Sequence, residues 1–131
     1  MSIQSFSIRD KIKELDDFIT PSLQDRIFEG HPELSFRTLF GRPPQSGKKS
    51  QAGNLERRHA LATVPGDPFS QVHANPRAAL QREGITGVHV DDLLDACIML
   101  WTALRIVARQ AFRTPSVAPV DERGLRMEMW A

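Results

Sequence analysis

Two acidic clusters lie far apart in the chain. Glu29 and Glu33 flank a Gly30-His31-Pro32 turn, and Asp91, Asp92 and Asp95 open a long apolar run. Carboxylate oxygens gathered from a strand end and a helix start are the hard donors that Mg²⁺ or Mn²⁺ takes, and such ions serve phosphate chemistry. On a helix Asp92 and Asp95 share one face about a turn apart. Two like charges so close repel and raise each other's pKa unless a cation neutralises them. The same residues have a second explanation, because aspartate at a helix N-terminus caps free N–H groups and complements the macrodipole. Asp91 fits that capping role best, and Asp95, inside the first turn of a buried helix, fits it least. Glu29, at the end of an expected strand, either faces a cleft at the sheet edge or is a solvated carboxylate paired with Arg26 or Arg37.

The remaining polar candidates have the same two-sided character. His31 is a metal ligand, a support for Glu33 or simply a turn residue. His59, His73 and His89 have no patterned partners, and no Cys/His spacing suits structural zinc. Lys48 and Lys49 sit in a Gly/Ser loop that can reach phosphates as point charges, or they are solvated surface; Arg57 and Arg58 carry the same alternatives. The stretch around Gly47 and Lys48 lacks the first glycine of a phosphate-binding loop, and no nucleophile-elbow sequence supports a Ser-His-Asp hydrolase.

These residues need a scaffold to hold them. Ile8, Ile12, Leu15 and Phe18 recur at helical spacing among charged residues, which predicts an amphipathic helix ending before Pro21. Residues 26–29 read as a short strand, and Pro32 as the first residue of a helix carrying Leu34, Phe36 and Leu39. Residues 41–54 read as a long exposed loop, followed by a helix over 55–64 with Asn54 as N-cap. Pro76 starts another short helix through Glu83. Residues 91–111 form the strongest helix, apolar around most of its circumference and therefore mostly buried, with a polar stripe of Asp91, Asp95, Thr102, Arg105 and Arg109. Alternation over 125–130 predicts a final strand. The order suggests an α/β domain with a thin sheet.

At 131 residues the chain has room for one domain, residues 1–131, with one core. Its net charge of +1 argues against attachment to nucleic acid by bulk electrostatics, leaving only a local basic patch for that role. The single cysteine, Cys97, forbids an intrachain disulfide and points to a reducing cytoplasm. No stretch approaches the ~20 apolar residues needed to span a bilayer, and the N-terminus has no leader-like pattern. A cytoplasmic protein without membrane contact is expected.

Taken in order, the Glu29-Gly30-His31-Pro32-Glu33 segment with Ser35 and Phe36, then Lys48 and Lys49, then Arg57, then Asp91-Asp92 with Asp95-Ala96, then the run from Gly124 to Trp130 resemble the C-terminal part of the predicted RNase-H-like nucleases, the domain of unknown function four-twenty-nine. The resemblance runs from about Ser2 to Trp130. It implies an RNase H-like fold, a mixed sheet flanked by helices, with acidic residues binding two divalent ions. Asp92 and Asp95 would then bind Mg²⁺ or Mn²⁺ on a helix similar to the last catalytic helix of RuvC-type resolvases. Glu29 would be the acidic residue after the fourth strand, with Glu33 as its rival.

The chain also departs from that pattern. Family members begin with a glycine-rich strand bearing an Asp, and no segment here supplies it, so the expectation is a partial RNase H-like fold lacking the N-terminal strands. The functional expectation is a metal-dependent nuclease, weakly active or inactive alone, with Glu29, Glu33, Asp92 and Asp95 as its acidic residues and Lys48, Lys49 and Arg57 on the nucleic-acid phosphates. The alternative is a non-catalytic interaction domain that completes its sheet as a homodimer or with a missing N-terminal half.

Overall fold

The computed structural model describes residues 8–131. The Ser2–Gln4 stretch where the resemblance begins, and the N-terminal residues expected to show no leader-like pattern, lie outside the described residues. The first helix, α1 (Arg9–Phe18), forms where the periodicity places it and stops ahead of Pro21, with Ile19 already extended. It buries no residue: Ile8, Ile12, Leu15 and Phe18 are 49–59% exposed. Its C-terminal end is tied down by Arg123, which pairs with Asp16 at 2.8 Å and donates to the Ile19 carbonyl.

A 3-10 turn over Leu23–Asp25 follows, and its Ile27 N–H to Leu23 carbonyl bond curls the chain where a strand over 26–29 was expected. That strand does not form. Only Gly30 makes a bridge, parallel to Trp130, with the Trp130 N–H donating to the Glu29 carbonyl. Helix α2 (Pro32–Phe40) then starts on Pro32, whose missing N–H costs nothing at a first helical position. It ends at Gly41 in the left-handed region.

Helix α3 (Gln51–Ala62) begins earlier than the sequence pattern indicated. Ser50 is its N-cap rather than Asn54, because the Ser50 hydroxyl accepts from the Gly53 N–H at 3.0 Å. Helix α4 (Ser70–Ala74) was not anticipated. Helix α5 (Pro76–Arg82) starts on Pro76 as expected, with Asn75 accepting from the Ala78 N–H.

Helix α6 (Val90–Val107) is the longest element and buries Leu94, Cys97, Ile98, Trp101 and Thr102. It is not buried all round: Leu100, Leu104 and Val107 lie on an exposed face, Val107 at 83%. It stops short of Ala111, as Arg109 turns into the left-handed region. Strands β1 (Arg113–Thr114) and β2 (Met129–Trp130) pair antiparallel, Arg113 opposite Trp130 and Thr114 opposite Met129. The final strand is thus two residues rather than six. A buried Glu128 carboxylate holds this corner, accepting from Arg113, Arg126 and the Trp130 indole.

The architecture is mixed α/β and mostly helical, with a two-stranded antiparallel sheet among the described residues. Among the described residues no helix is long and apolar enough to cross a membrane. The core lies where α2, α3 and α6 meet, on Phe36, Ala60, Leu61, Leu94, Ile98 and Trp101. Each fully buried large apolar side chain contributes roughly 1.5–3 kcal/mol. One polar pair crosses this core: the Thr102 hydroxyl donates to the Ser35 hydroxyl at 2.8 Å, locking the register of α6 on α2. Phe36→Ala is expected to cost about 3–5 kcal/mol through lost burial and the cavity left behind. Urea unfolding measures it, and a loss under about 1 kcal/mol would mean α2 is not packed on α6 as described.

Candidate functional site

The loop between α2 and α3 carries Lys48 and Lys49, and α3 holds it from beneath. The Glu56 carboxylate accepts from the Gln45 and Ser46 backbone N–H groups and from Arg42 at 2.9 Å. One residue on, Arg57 donates to the Ser46 carbonyl, to the Gly53 carbonyl and to both Glu33 oxygens, at 2.7 and 2.9 Å. Gly53 completes the clamp, because a Cβ there would overlap the Gly47 carbonyl. Ser50 closes the loop by donating to the same carbonyl.

Lys48 is thereby delivered to α6. Its ammonium pairs with Asp95 Oδ2 at 2.7 Å, and the Asp95 hydrogen bond, reinforced by the charges of Asp95, Asp91 and Glu33, raises its pKa against the opposing effect of burial. The other Asp95 oxygen, Oδ1, is buried without a hydrogen-bond partner. Asp92 Oδ2 accepts from the His89 N–H at 3.3 Å, so Asp92 is the residue that caps α6. Asp91, expected to be the pure cap, instead lines the groove beside Lys48.

Of the seven sequence-derived candidates, the structure brings Glu33, Lys48, Arg57 and Asp95 into one charged network, with Asp92 at its rim. Lys49 lines the adjoining groove. Glu29 is not part of it. That residue lines a separate hollow of about 290 Å³ with Met99, Ile106 and Trp130. Arg57 also changes role, since at 1% exposure it is spent on Glu33 and two carbonyls and cannot meet a substrate. His31 proves to be the α2 cap, its Nδ1 accepting from the Glu33 N–H.

The groove has a volume of about 1040 Å³ and runs from the α3 N-terminus to the α6 N-terminus. Lys48, Lys49, Arg58 and Arg77 are its cations and Asp91 and Asp92 its acids, with Gln51, Asn54 and Asn75 between. Arg58 is oriented by the His73 and Ala74 carbonyls. Sequence reasoning missed Arg77. The Asn75-Pro76 pair does signal a helix start that puts Arg77 in the first turn, but nothing in the spacing says that α5 abuts α6.

As placed, the carboxylates do not fit a divalent ion. Asp95 is held by Lys48, Asp92 by its cap, Glu33 by Arg57, and Glu29 lies in the other hollow; among the described residues no three His, Cys, Asp or Glu groups converge. With the geometry in place, comparison with known families is informative. The sequence model of a family described as a protein of unknown function, DUF429, matches residues 1–120. The chain belongs to the DUF429 family. Comparison with curated proteins and with solved structures gives no match. For this DUF429 chain the loop clamp, the Lys48–Asp95 pair and the groove therefore carry the functional argument.

Two predictions test the clamp. Burial pushes the Glu56 carboxyl up, but the bonds from Gln45, Arg42 and Ser46 outweigh it and hold the carboxyl below the usual glutamate range. The stability Glu56 contributes is therefore full above the ordinary glutamate pKa and lost as pH falls through the lowered folded value. Melting points of the native chain and Glu56→Gln should differ at neutral pH and converge in acid. Arg57→Ala should cost on the order of 2 kcal/mol by urea unfolding, below the full cost of breaking a buried pair because Glu33 is 38% exposed.

Proposed function

We propose that this DUF429 chain is the nucleic-acid-gripping part of a cytoplasmic, RNase H-like phosphodiesterase of the Mg²⁺- or Mn²⁺-dependent kind, weakly active or inactive by itself. The observation that carries this reading is the groove, where four cations converge on the ends of α3 and α6 although the whole chain is nearly neutral. Helix N-termini add their partial positive charge to such a surface. Lys49 and Arg77 have no ion pair among the described residues, so they are the cations best placed to neutralise phosphates.

The lining also favours one form of nucleic acid. Neither Phe nor Trp lines the groove and the chain has no Tyr, so bases find no stacking platform there. Lys, Arg and amide side chains suit sugar and phosphate, which favours a duplex held by its backbone. Weak activity follows from the charge pairing already described: Lys48 neutralises Asp95 and Arg57 neutralises Glu33. The Gly30–Trp130 parallel bridge beside an antiparallel pair supports the RNase H-like type, whose sheet is mixed. Cys97, the single cysteine, is free and buried, which agrees with a cytoplasmic setting. A second reading, a non-catalytic interaction domain, is favoured by the exposed apolar face of α1.

Fluorescence anisotropy with a labelled DNA duplex and its separated strand tests the grip. Duplex binding should be the tighter, and Lys49→Glu/Arg77→Glu should weaken it more than tenfold and lower the log–log salt slope by about two. No binding at low salt would refute the proposal. Rapid Mn²⁺-dependent cleavage by the chain alone, lost in Asp95→Asn, would refute its inactive half.

A further inference from the structure

We infer that two copies of this chain pair through their helices, α1 of one lying parallel on α6 of the other. A ten-residue helix that buries nothing is marginal in water, because most helical stability comes from packing an apolar face. Helix α1 and its N-cap present that face: Ile8, Ile12 and Leu15 fall at steps of four and three with Phe18 alongside, and half-buried Ile19 follows four residues on, where the chain has turned extended. The exposed side of α6 repeats the same steps with Ala96, Leu100, Ala103 and Val107, flanked by Leu104. Such spacing is the seam of helices packed knobs into holes.

The two seams complement each other in size and charge. Set parallel, Ile8 meets Ala96, Ile12 meets Leu100 and Leu15 meets Ala103, and the end of α1 reaches Val107, so bulk alternates with small residues on the α6 side. Parallel orientation also places the net basic first half of α1 (Arg9, Lys11 and Lys13 against Asp10) toward the acidic start of α6, and its acidic second half (Glu14, Asp17 and the Arg123-paired Asp16) toward Arg105 and Arg109 at the other end. Antiparallel orientation would set like charges together at both ends. Within one chain Arg123 anchors α1, and among the described residues α1 is not one of the helices packed closely on α6, so its apolar face is open to the seam of a second copy.

The area is of the right order. Ile8, Ile12, Leu15, Phe18, Leu100, Leu104 and Val107 are each about half exposed or more, and at roughly 100 Å² apiece they offer on the order of 700 Å² per copy against the ~800 Å² per partner of a standard interface. Because α1 of each copy meets α6 of the other, the contact is reciprocal and closes as a two-fold dimer.

Light scattering on the full chain at tens of micromolar should give twice the chain's mass, and Ile12→Glu or Leu100→Glu should each halve it. Circular dichroism of these variants should keep the native helix signal of α2, α3 and α6, since neither position is in the core. Mixing a Leu15→Cys chain with an Ala103→Cys chain and oxidising should yield a disulfide-linked pair on a non-reducing gel, above the level that either chain gives alone. A monomer of native sequence at that concentration overturns the inference, as does a dimer that survives both glutamate substitutions or shows no cross-link.

Discussion

One buried guanidinium sets the geometry of the charged half of this molecule. Arg57 lies under the α2–α3 loop, 5.4 Å from the Phe36 ring, and donates to the Ser46 and Gly53 carbonyls and to both oxygens of Glu33. Burying a cation is costly unless it is paired and hydrogen-bonded, so Arg57 in turn requires Glu33, the Ser46 carbonyl and the Gly53 carbonyl where they are. Its Nε remains without a partner, the residual cost of the arrangement. Because the three acceptors come from α2, the loop and α3, the position of each element depends on the other two. Lys48 and Lys49, two and three residues beyond Ser46, inherit that rigidity.

This is why the Lys48–Asp95 pair differs from an ordinary surface salt bridge. A lysine on a free loop would surrender its side-chain entropy and its backbone freedom to reach Asp95, and the pair would contribute little. Here Glu56, Arg57 and Gly53 have fixed the loop in advance, and Asp95 is only 15% exposed at its side chain. The pair stands at the meeting of the core and the groove. Its Asp95 end lies one residue from Leu94, which is fully buried, and its Lys48 end lines the groove with Lys49 and Asp91.

Elements whose signal is local were legible in the sequence. The periodicity of α1, the proline that begins α2, the proline that begins α5 and the start of α6 are each written within a few residues. Elements that depend on remote partners were not. The 26–29 segment has strand-forming residues, yet the 3-10 turn before it and a single bridge to Trp130 settle its shape. Ser50 and Asn54 are equally good caps on paper; the Gly53–Gly47 contact selects Ser50. Arg57 and Arg58 are adjacent and alike in composition, but the helical turn sends one into the core and the other to the groove. The acidic clusters were visible as residue types, while their separation into a cap, two ion pairs and an isolated Glu29 depended on which cations the fold brought to them.

Helix α6 carries the consequences of all three arguments, because its faces serve different partners. Leu94, Ile98 and Trp101 bind it to the core, Asp91, Asp92 and Asp95 face the groove or its rim, and Leu100, Leu104 and Val107 are left to solvent. A helix apolar around most of its circumference reads from sequence as mostly buried, since periodicity counts apolar positions without saying what covers them. The structure resolves that ambiguity by covering one face and leaving another open, and the open face begins at Ala96, immediately after the aspartate that Lys48 holds. A partner seated there would border the groove's acidic end. The surface proposed to grip nucleic acid and the surface proposed to join two copies therefore meet at a single turn of α6.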